Sequence, residues 1–333
     1  MRYGSALQGR EGLCQATQRA HEETAATRPP ALFRRHAANG PVKAKWGLAL
    51  SGGAARGLAH IGVIQVLEEN GLAPDIVAGS SMGAYIGALW CSGLDGAALE
   101  REAHDTSQWR ALAELIDPVV PPRRGFLRGD QIRRRLSSTI CAAHFSQLRT
   151  PLIVTATNLD TLACELLTSG DVSQAVLASC AIPGICEPVM RCGSRYTDGA
   201  VTAPVPVSPL LDRGLDVVIA VNVMPPPSDT VGTPARKSER AASDTGFWGA
   251  LHRRLNYFAK GNLLDTVYRS LGAAQGILAE GACRQAEVVI RPLCEDALWY
   301  EFHLPAKHIA LGRAAALAQL PKLRALLVRK AAA

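Results

Sequence analysis

The sequence lacks the marks of several protein classes. No run of about 18 uncharged apolar residues occurs among its 333 residues, which excludes a typical membrane-spanning helix. The first 30 residues lack the apolar segment of a secretory signal and carry acidic side chains, so we expect a soluble, cytoplasmic protein. Aromatic residues make up only 5% of the chain and are not interleaved with basic ones. We therefore expect no nucleic acid among the partners.

Cysteine is present, but its spacing does not fit a metal site. The nine cysteines are odd in number and include no Cys-x-x-Cys pair. Cys180, Cys186 and Cys192 recur every six residues, yet no histidine lies nearby to complete a zinc site. This pattern predicts buried free thiols in a reducing compartment.

The net charge of +7 and the isoelectric point of about 9.0 favour an anionic partner. Residues 123–135 are rich in arginine, which indicates either contact with lipid headgroups or a solvated helix face. Residues 247–260 mix aromatic and basic side chains, which suits either a membrane surface or packing against the domain. Both alternatives stay open, and peripheral contact with an anionic membrane surface is a prediction. The clustered arginines are Arg123, Arg124, Arg128, Arg133, Arg134 and Arg135.

The length suits one large domain with appendages, and a 48% hydrophobic content suffices for a sizeable core. Residues 1–44 have no sustained periodicity and contain paired prolines and paired arginines, which predicts a poorly ordered leader. Residues 45–328 would form the domain. Within it, residues about 225–260 are polar and rich in helix breakers, which predicts an exposed loop or insertion.

The first glycine turn, Ser51 to Gly57, lies between an apolar run that predicts a parallel strand and an apolar periodicity that predicts a helix. The N–H groups of Gly52, Gly53 and Ala54 would then point at an anion in front of the helix. No Gly-Lys-Ser/Thr sequence completes a P-loop, and Ala54 stands where a dinucleotide fingerprint needs glycine. Nearby, Arg56 either contacts a phosphate group or pairs with a carboxylate.

The second turn, Gly79-Ser80-Ser81-Met82-Gly83, has the Gly-x-Ser-x-Gly form of a nucleophile elbow. A short apolar strand precedes it and a helix of small residues follows, so the Ser81 hydroxyl would lie at a helix N-terminus. The flanking glycines fit because a Cβ there would collide with the strand or the helix. With both turns present, we interpret the anion at the first turn as the oxyanion of an acyl-transfer intermediate.

A serine hydroxyl needs a base, and the sequence offers two kinds. In the chain order Ser, Asp, His, the base is His303 or His308, both beyond the last predicted strand. In the other arrangement Asp198, at a strand end in Asp-Gly-Ala, accepts the proton directly, which requires a sheltered site. An α/β-hydrolase usually places several β-α units before its elbow, whereas one strand and one helix precede Ser81. The order of elements therefore favours a Ser81–Asp198 dyad.

Three ordered motifs, SGGAARG, GSSMG and DGA, resemble those of the patatin-like phospholipase family, particularly its bacterial members. The resemblance covers roughly residues 45–223 and 262–328. It implies an α/β fold in three α/β/α layers with a mostly parallel central sheet. It also implies that residues 45–328 are a catalytic domain that hydrolyses phospholipid, lysophospholipid or other fatty-acyl esters without a metal or other cofactor.

By motif match, the resemblance implies that Ser81 is the nucleophile and Asp198 the base. Ala54 departs from the third glycine of many family members, but a backbone N–H survives this change. The implied oxyanion-hole donors are the N–H groups of Gly52, Gly53 and Ala54, with Arg56 nearby as an anion or phosphate contact.

Two other functions share these features. One is a membrane-associated regulatory or lipid-binding protein with a vestigial acyl site, suggested by the basic segments. The other is an acyltransferase in which an alcohol replaces water, since the same residues would serve it. The lipid substrate and the oligomeric state are not encoded in any motif that we identify.

Overall fold

The computed structural model describes residues 44–121, 124–225, 263–292 and 300–331. Eight strands form one sheet in the order β5-β6-β3-β2-β1-β7-β8, and β4 pairs separately with β3. The β1–β2, β2–β3, β1–β7 and β7–β8 pairs are parallel, whereas the β3–β4, β3–β6 and β5–β6 pairs are antiparallel. The strands are β1 (Trp46–Leu50), β2 (Ile76–Ser80), β3 (Leu152–Asn158), β4 (Cys164–Leu167), β5 (Val189–Arg191), β6 (Ser194–Asp198), β7 (Val217–Val221) and β8 (Val288–Ile290).

Helices connect and cover the strands. A 3-10 turn at Ala54–Leu58 leads directly into the first helix, and further 3-10 turns lie at Phe145–Gln147 and Gly199–Val201. The helices are α1 (Ala59–Glu69), α2 (Met82–Ser92), α3 (Gly96–Ser107), α4 (Trp109–Glu114), α5 (Asp130–Thr139), α6 (Val172–Ser179), α7 (Ser208–Leu211), α8 (Leu263–Cys283) and α9 (Pro305–Ala331).

Helices cover both faces of the sheet, which explains why β1, β2, β3 and β7 are buried along their whole length. Side chains alternate along a strand, so neighbours point to opposite faces. In β1, Leu48 and Leu50 join a large buried cluster with residues of α1, α2 and α9, while Ala49 joins a smaller cluster with residues of α7 and α8. The predicted α/β fold with three layers is therefore confirmed. Its sheet is mixed, with the antiparallel pairings confined to β3–β6.

The helices α1 and α9 approach each other through glycine. A Cβ on Gly62 would lie 2.0 Å from the Ile309 carbonyl oxygen, and a Cβ on Gly312 would lie 1.9 Å from that of Ala59. Such backbone contact requires glycine at both positions. The contact fixes α1, and with it the 3-10 turn that follows β1.

Several predicted boundaries change. The pattern of residues 94–116 predicts one helical segment, but the structure has two helices, α3 and α4, that meet at Gln108. The sequence also predicts a short basic helix, Gln131–Leu136, capped by Asp130. In α5, however, the N-cap is Gly129 with φ 81°, and Asp130 is the first helical residue. The Asp117 carboxylate accepts from the Gln131 N–H at 3.1 Å, so a side chain from before the helix satisfies its N-terminus.

Some predictions concern residues outside the described ranges. These are the leader, apart from Ala44, the segment 226–262 that holds nearly all of the predicted insertion, and Arg123 of the arginine cluster. Within the described ranges, no helix has the length and apolar character needed to cross a membrane.

Candidate active site

The loop after β1 lies against both of the other motifs. Ser51, the first residue of the loop, is fully buried, and its N–H donates to the Val221 carbonyl at 3.0 Å. A Cβ on Gly52 would lie 2.8 Å from the Ala200 Cβ and 3.3 Å from the Ser81 Cβ. The glycine at this position therefore lets the loop pack between the serine turn and the Asp-Gly-Ala turn.

The serine turn has the backbone of a strained elbow. Ser81 lies between β2 and α2 with φ 51° and ψ −123°, a conformation that a non-glycine residue rarely adopts. The Ser81 N–H donates to the Ser179 Oγ at 2.8 Å, and Ser179 is fully buried at the end of α6. This bond ties the elbow to a helix about 100 residues away, which helps to offset the strain.

The Asp-Gly-Ala turn brings its carboxylate to the end of β6. A Cβ on Gly199 would lie 2.1 Å from the Thr155 carbonyl oxygen, so only glycine lets this turn pass β3 so closely. The Asp198 Oδ1 accepts from the Ala200 N–H at 2.7 Å, and the Thr157 hydroxyl donates to the Asp198 carbonyl at 2.9 Å. The first bond orients the carboxylate, and the second holds the backbone of the turn against β3.

Ser81 and Asp198 meet. The Ser81 Oγ donates to the Asp198 Oδ2 at 2.7 Å. Burial raises the pKa of Asp198 from 3.8 to about 6, and the hydrogen bonds from Ser81 and Ala200 oppose that rise. The carboxylate is therefore ionised at neutral pH and more basic than an exposed aspartate. An arrangement of this kind can take a proton from the serine hydroxyl.

The three amides of the glycine turn are not equivalent. The Gly52 N–H donates to the Pro204 carbonyl at 2.9 Å, so this structure does not leave it free for an oxyanion, and we correct its predicted role. Within the described residues, the Gly53 and Ala54 N–H groups have no hydrogen-bond partner. Ala54 has φ 49°, in the left-handed region that favours glycine, which matches the departure noted in the sequence.

The remaining candidates are Arg56 and the two histidines. Arg56 is in the 3-10 turn before α1. The pKa of His308 is lowered mainly by burial, and the charge of Arg56 contributes to the lowering. His308 is buried on α9, and its Nε2 has no hydrogen-bond partner among the described residues. His303 is exposed before α9. The structure therefore pairs Ser81 with the aspartate and not with either histidine.

The evenly spaced cysteines have different states. Cys180 and Cys186 are free, and burial raises the pKa of both thiols. Cys192 is disulfide-bonded, so the predicted free thiol is wrong at that position. Among the described residues, no group of three or more His, Cys, Asp or Glu side chains is arranged to hold a metal ion.

Sequence reasoning missed the residues that support the site. Ser179 is a small residue inside a helix, and Thr157 is one of several β-branched residues in a strand. Neither carries a local signal, because each acts only on a backbone group that the fold brings to it. Their position near the ends of predicted buried elements was the one available hint.

The tight packing of the elbow predicts that Gly83→Ala destabilises the protein, and Gly87→Ala in the same helix is the matched control. A Cβ on Gly83 would lie 2.3 Å from the Leu50 carbonyl oxygen, so Gly83→Ala must push α2 away from β1. We expect a loss of about 1–3 kcal/mol in the free energy of unfolding. A Cβ on Gly87, one turn later, would make ordinary contacts at 3.5 Å, so Gly87→Ala should be neutral or gain about 0.5–1 kcal/mol. Urea unfolding followed by circular dichroism measures both, and equal effects would contradict the elbow geometry.

Comparison with known proteins gives a consistent family. Residues 48–211 match the model of a family described as patatin-like phospholipase. The lysophospholipase NTE1 of Mycosarcoma maydis is 32% identical over 214 residues, which are 62% of this chain and 11% of that protein. An uncharacterized NTE family protein of Mycobacterium tuberculosis is 34% identical over 212 residues, which are 63% of this chain and 56% of that protein. The chain thus spans about half of the mycobacterial relative and about a tenth of the fungal one.

Among solved structures, VipD from Legionella pneumophila aligns with 85% of this chain and 67% of its own. The identity is 13% and the TM-score is 0.41. A likeness at this level carries no inference about function.

Proposed function

Residues 48–211 of this chain are a patatin-like phospholipase domain, and we propose that the chain is a serine lipid acyl hydrolase. Its substrate class is phospholipid, lysophospholipid or a similar fatty-acyl ester, in line with the names of the family and of the fungal relative. One observation carries the proposal: the 2.7 Å hydrogen bond from the Ser81 hydroxyl to the buried Asp198 carboxylate.

In the acylation step, the Ser81 oxygen attacks the ester carbonyl carbon while the Asp198 Oδ2 takes the hydroxyl proton. The carbonyl oxygen becomes an oxyanion, and the N–H groups of Gly53 and Ala54 donate to it, with the charge of Arg56 nearby for a phosphate group. Collapse of the tetrahedral intermediate breaks the bond to the leaving alcohol, whose oxygen takes the proton from Asp198. The acyl group then remains on Ser81.

In the deacylation step, water attacks the acyl carbon and gives a proton to Asp198. The bond between the acyl carbon and the Ser81 oxygen breaks, the proton returns to that oxygen, and a free fatty acid leaves. An alcohol in place of water would give a new ester by the same proton transfers. Metal and cofactor have no role in this scheme.

A panel of esters tests the proposal. We expect the wild-type protein to release fatty acid from soluble fatty-acyl esters and from lysophospholipid or phospholipid, and Ser81→Ala to release none. Product analysis in the presence of an alcohol separates hydrolysis from acyl transfer. No turnover of any ester by the wild type, together with vesicle binding by Ser81→Ala, would contradict the proposal and support a lipid-binding protein with a vestigial site.

We further propose that a cytoplasmic pool of the protein contacts anionic membranes through the segments 116–120 and 124–128, where Pro118 and Leu127 pair in an antiparallel bridge, and through the first half of α5. In the first of these segments, Val120 is 87% exposed and Ile116 is 57% exposed. Arg128 and Arg134 are exposed and make no ion pair within the described residues. Exposed aliphatic and cationic groups side by side suit the boundary between headgroups and acyl chains.

Co-sedimentation of Ser81→Ala with vesicles tests this contact, because that variant leaves the lipid intact. We expect binding to vesicles that contain phosphatidylglycerol, weakened several-fold by Arg128→Glu with Arg134→Glu and by raised salt. The matched control is Arg213→Glu with Arg329→Glu, which makes the same charge change at exposed arginines outside the cluster. Equal binding by both double variants would refute the proposed surface and leave the hydrolase proposal untouched.

A further inference from the structure

A buried histidine of α1 contacts the backbone at the start of the glycine turn. The Nε2 of His60 lies 2.9 Å from the Ser51 carbonyl oxygen, and the side chain is fully buried. A carbonyl oxygen only accepts hydrogen bonds, so Nε2 must carry the proton. Burial lowers the pKa of His60 to about 4, so the ring is neutral at physiological pH and Nδ1 carries no proton. Nδ1 has no hydrogen-bond partner among the described residues, so the contact to Ser51 is the hydrogen bond that orients this ring.

The carbonyl that His60 contacts belongs to the peptide that leads into the glycine turn. The Ser51 carbonyl and the Gly52 N–H share one plane, so holding the carbonyl also aims the N–H. That N–H donates to the Pro204 carbonyl at 2.9 Å. Ser51 is further fixed by its N–H to Val221 and by its Oγ, which accepts from the Val223 N–H at 3.0 Å. The two peptides that follow carry the N–H groups of Gly53 and Ala54.

We infer that His60 is a positioning residue for the oxyanion hole: its Nε2–H fixes the Ser51–Gly52 peptide and thereby the direction of the next two amides. The inference rests on the proposed function, since it assigns a role within the same site. Because Gly52 and Gly53 have no side chains to restrict their φ and ψ angles, the hydrogen bonds of the loop must hold its peptides in place. Without the donor, the buried Ser51 carbonyl would lack this partner, and the loop would reorient to satisfy it.

His60 acts through the loop and not on the reacting atoms. The serine hydroxyl has its hydrogen bond with Asp198, and the contact of His60 is with the backbone of Ser51. Loss of the donor should therefore lower the rate of oxyanion formation and leave substrate binding nearly unchanged. If His60 only filled space in the core, its replacement would lower the stability of the protein. It would not lower the rate of oxyanion formation selectively over substrate binding.

Two variants separate the donor from the volume. His60→Met keeps a side chain of similar size without a donor, and His60→Gln restores an N–H at a similar reach. We expect His60→Met to lower kcat by about 10–100-fold, as for loss of part of an oxyanion hole, with KM within twofold. We expect His60→Gln to recover most of that loss. The rate of Ser81 labelling by a fluorophosphonate should fall in parallel. Equal kcat in the two variants, or a change confined to KM, would overturn the inference.

A measurement on the wild-type protein covers the case in which a variant fails to fold. With ¹⁵N-labelled histidine, NMR should show His60 protonated at Nε2 and bare at Nδ1, unchanged between about pH 5 and 8. A ring protonated at Nδ1 alone would overturn the inference. A wild-type protein that neither hydrolyses esters nor reacts with fluorophosphonate would contradict the proposed function, and the tautomer would still decide whether His60 donates to Ser51.

Discussion

Ser81→Ala is expected to lower kcat for ester hydrolysis by about 10⁴-fold or more, because the covalent route disappears with the nucleophile. The substitution keeps the Cβ, so the elbow backbone, with φ 51°, gains no new steric conflict. It removes one hydrogen bond from Asp198, whose Oδ1 still accepts from Ala200. Thermal unfolding should therefore show a folded protein. Initial rates on a soluble fatty-acyl ester measure the effect without the complication of a lipid surface.

The neighbouring serine supplies the control. Ser80 is fully buried at the end of β2, and its Oγ has no hydrogen-bond partner among the described residues. Ser80→Ala removes a buried hydroxyl that makes no bond, so we expect unchanged kcat and equal or slightly higher stability. If Ser80→Ala and Ser81→Ala lowered kcat by similar factors, the losses would reflect a general disturbance of the elbow. That result would contradict the assignment of Ser81.

Asp198→Asn is expected to lower kcat by about 10³–10⁴-fold, the range seen when a base or its partner is replaced isosterically. The asparagine Oδ1 can still accept from the Ala200 N–H, and its Nδ2 can donate to the Ser81 oxygen. The geometry is thus preserved while the ability to accept a proton is lost. His303→Gln and His308→Gln should retain activity. Loss of activity only in a histidine variant would support the triad that the sequence left as an alternative.

The pH dependence of both activity and stability follows from the pKa of Asp198, which burial raises to about 6. The base must be ionised, so kcat/KM of the wild type should rise with pH, with a midpoint near 6, and then level off. For stability the sign is reversed: a carboxyl whose folded pKa is raised favours the protonated native state. Its contribution is fully present below about pH 4 and is lost as pH rises through 6.

Removing that carboxylate should therefore stabilise the protein at neutral pH. A shift from 3.8 to about 6 corresponds to about 3 kcal/mol as an upper limit. We expect Asp198→Asn to unfold at a higher temperature than the wild type at pH 8, with the difference shrinking towards pH 4. Equal Tm values at all pH values, or an unchanged pH–activity profile in the variant, would contradict the buried-base account.

The pairing of Ser81 with Asp198 could be predicted from the sequence because each residue lies in a short turn with a steric requirement. A Cβ on Gly83 would lie 2.3 Å from the Leu50 carbonyl oxygen, and one on Gly199 would lie 2.1 Å from that of Thr155. Both positions therefore require glycine, which is why the motifs Gly-x-Ser-x-Gly and Asp-Gly-Ala can be recognised in the sequence. β2 and β3 are parallel, and β6 runs antiparallel to β3 with Asp198 opposite Ala156, which brings the carboxylate next to the end of β2. The fold class followed from the resemblance of the three ordered motifs to the patatin-like phospholipase family.

Other parts of the site could not be predicted, because they depend on pairings between distant backbone groups. Gly52 has the right position in the turn, yet its N–H bonds to Pro204, about 150 residues later in the chain. His60 lies in the first turn of α1 between Ala59 and Ile61, so nothing local distinguishes a donor to Ser51 from an ordinary core histidine. Ser179 likewise acts on a single N–H brought to it by α6.

Peptide mapping of a fluorophosphonate adduct asks directly whether the Ser81 hydroxyl is activated by Asp198. We expect a single adduct on Ser81 in the wild-type protein, formed much more slowly in Asp198→Asn at pH 8, and no adduct in Ser81→Ala. An adduct on another residue, or labelling of Ser81 at an undiminished rate in Asp198→Asn, would contradict this assignment.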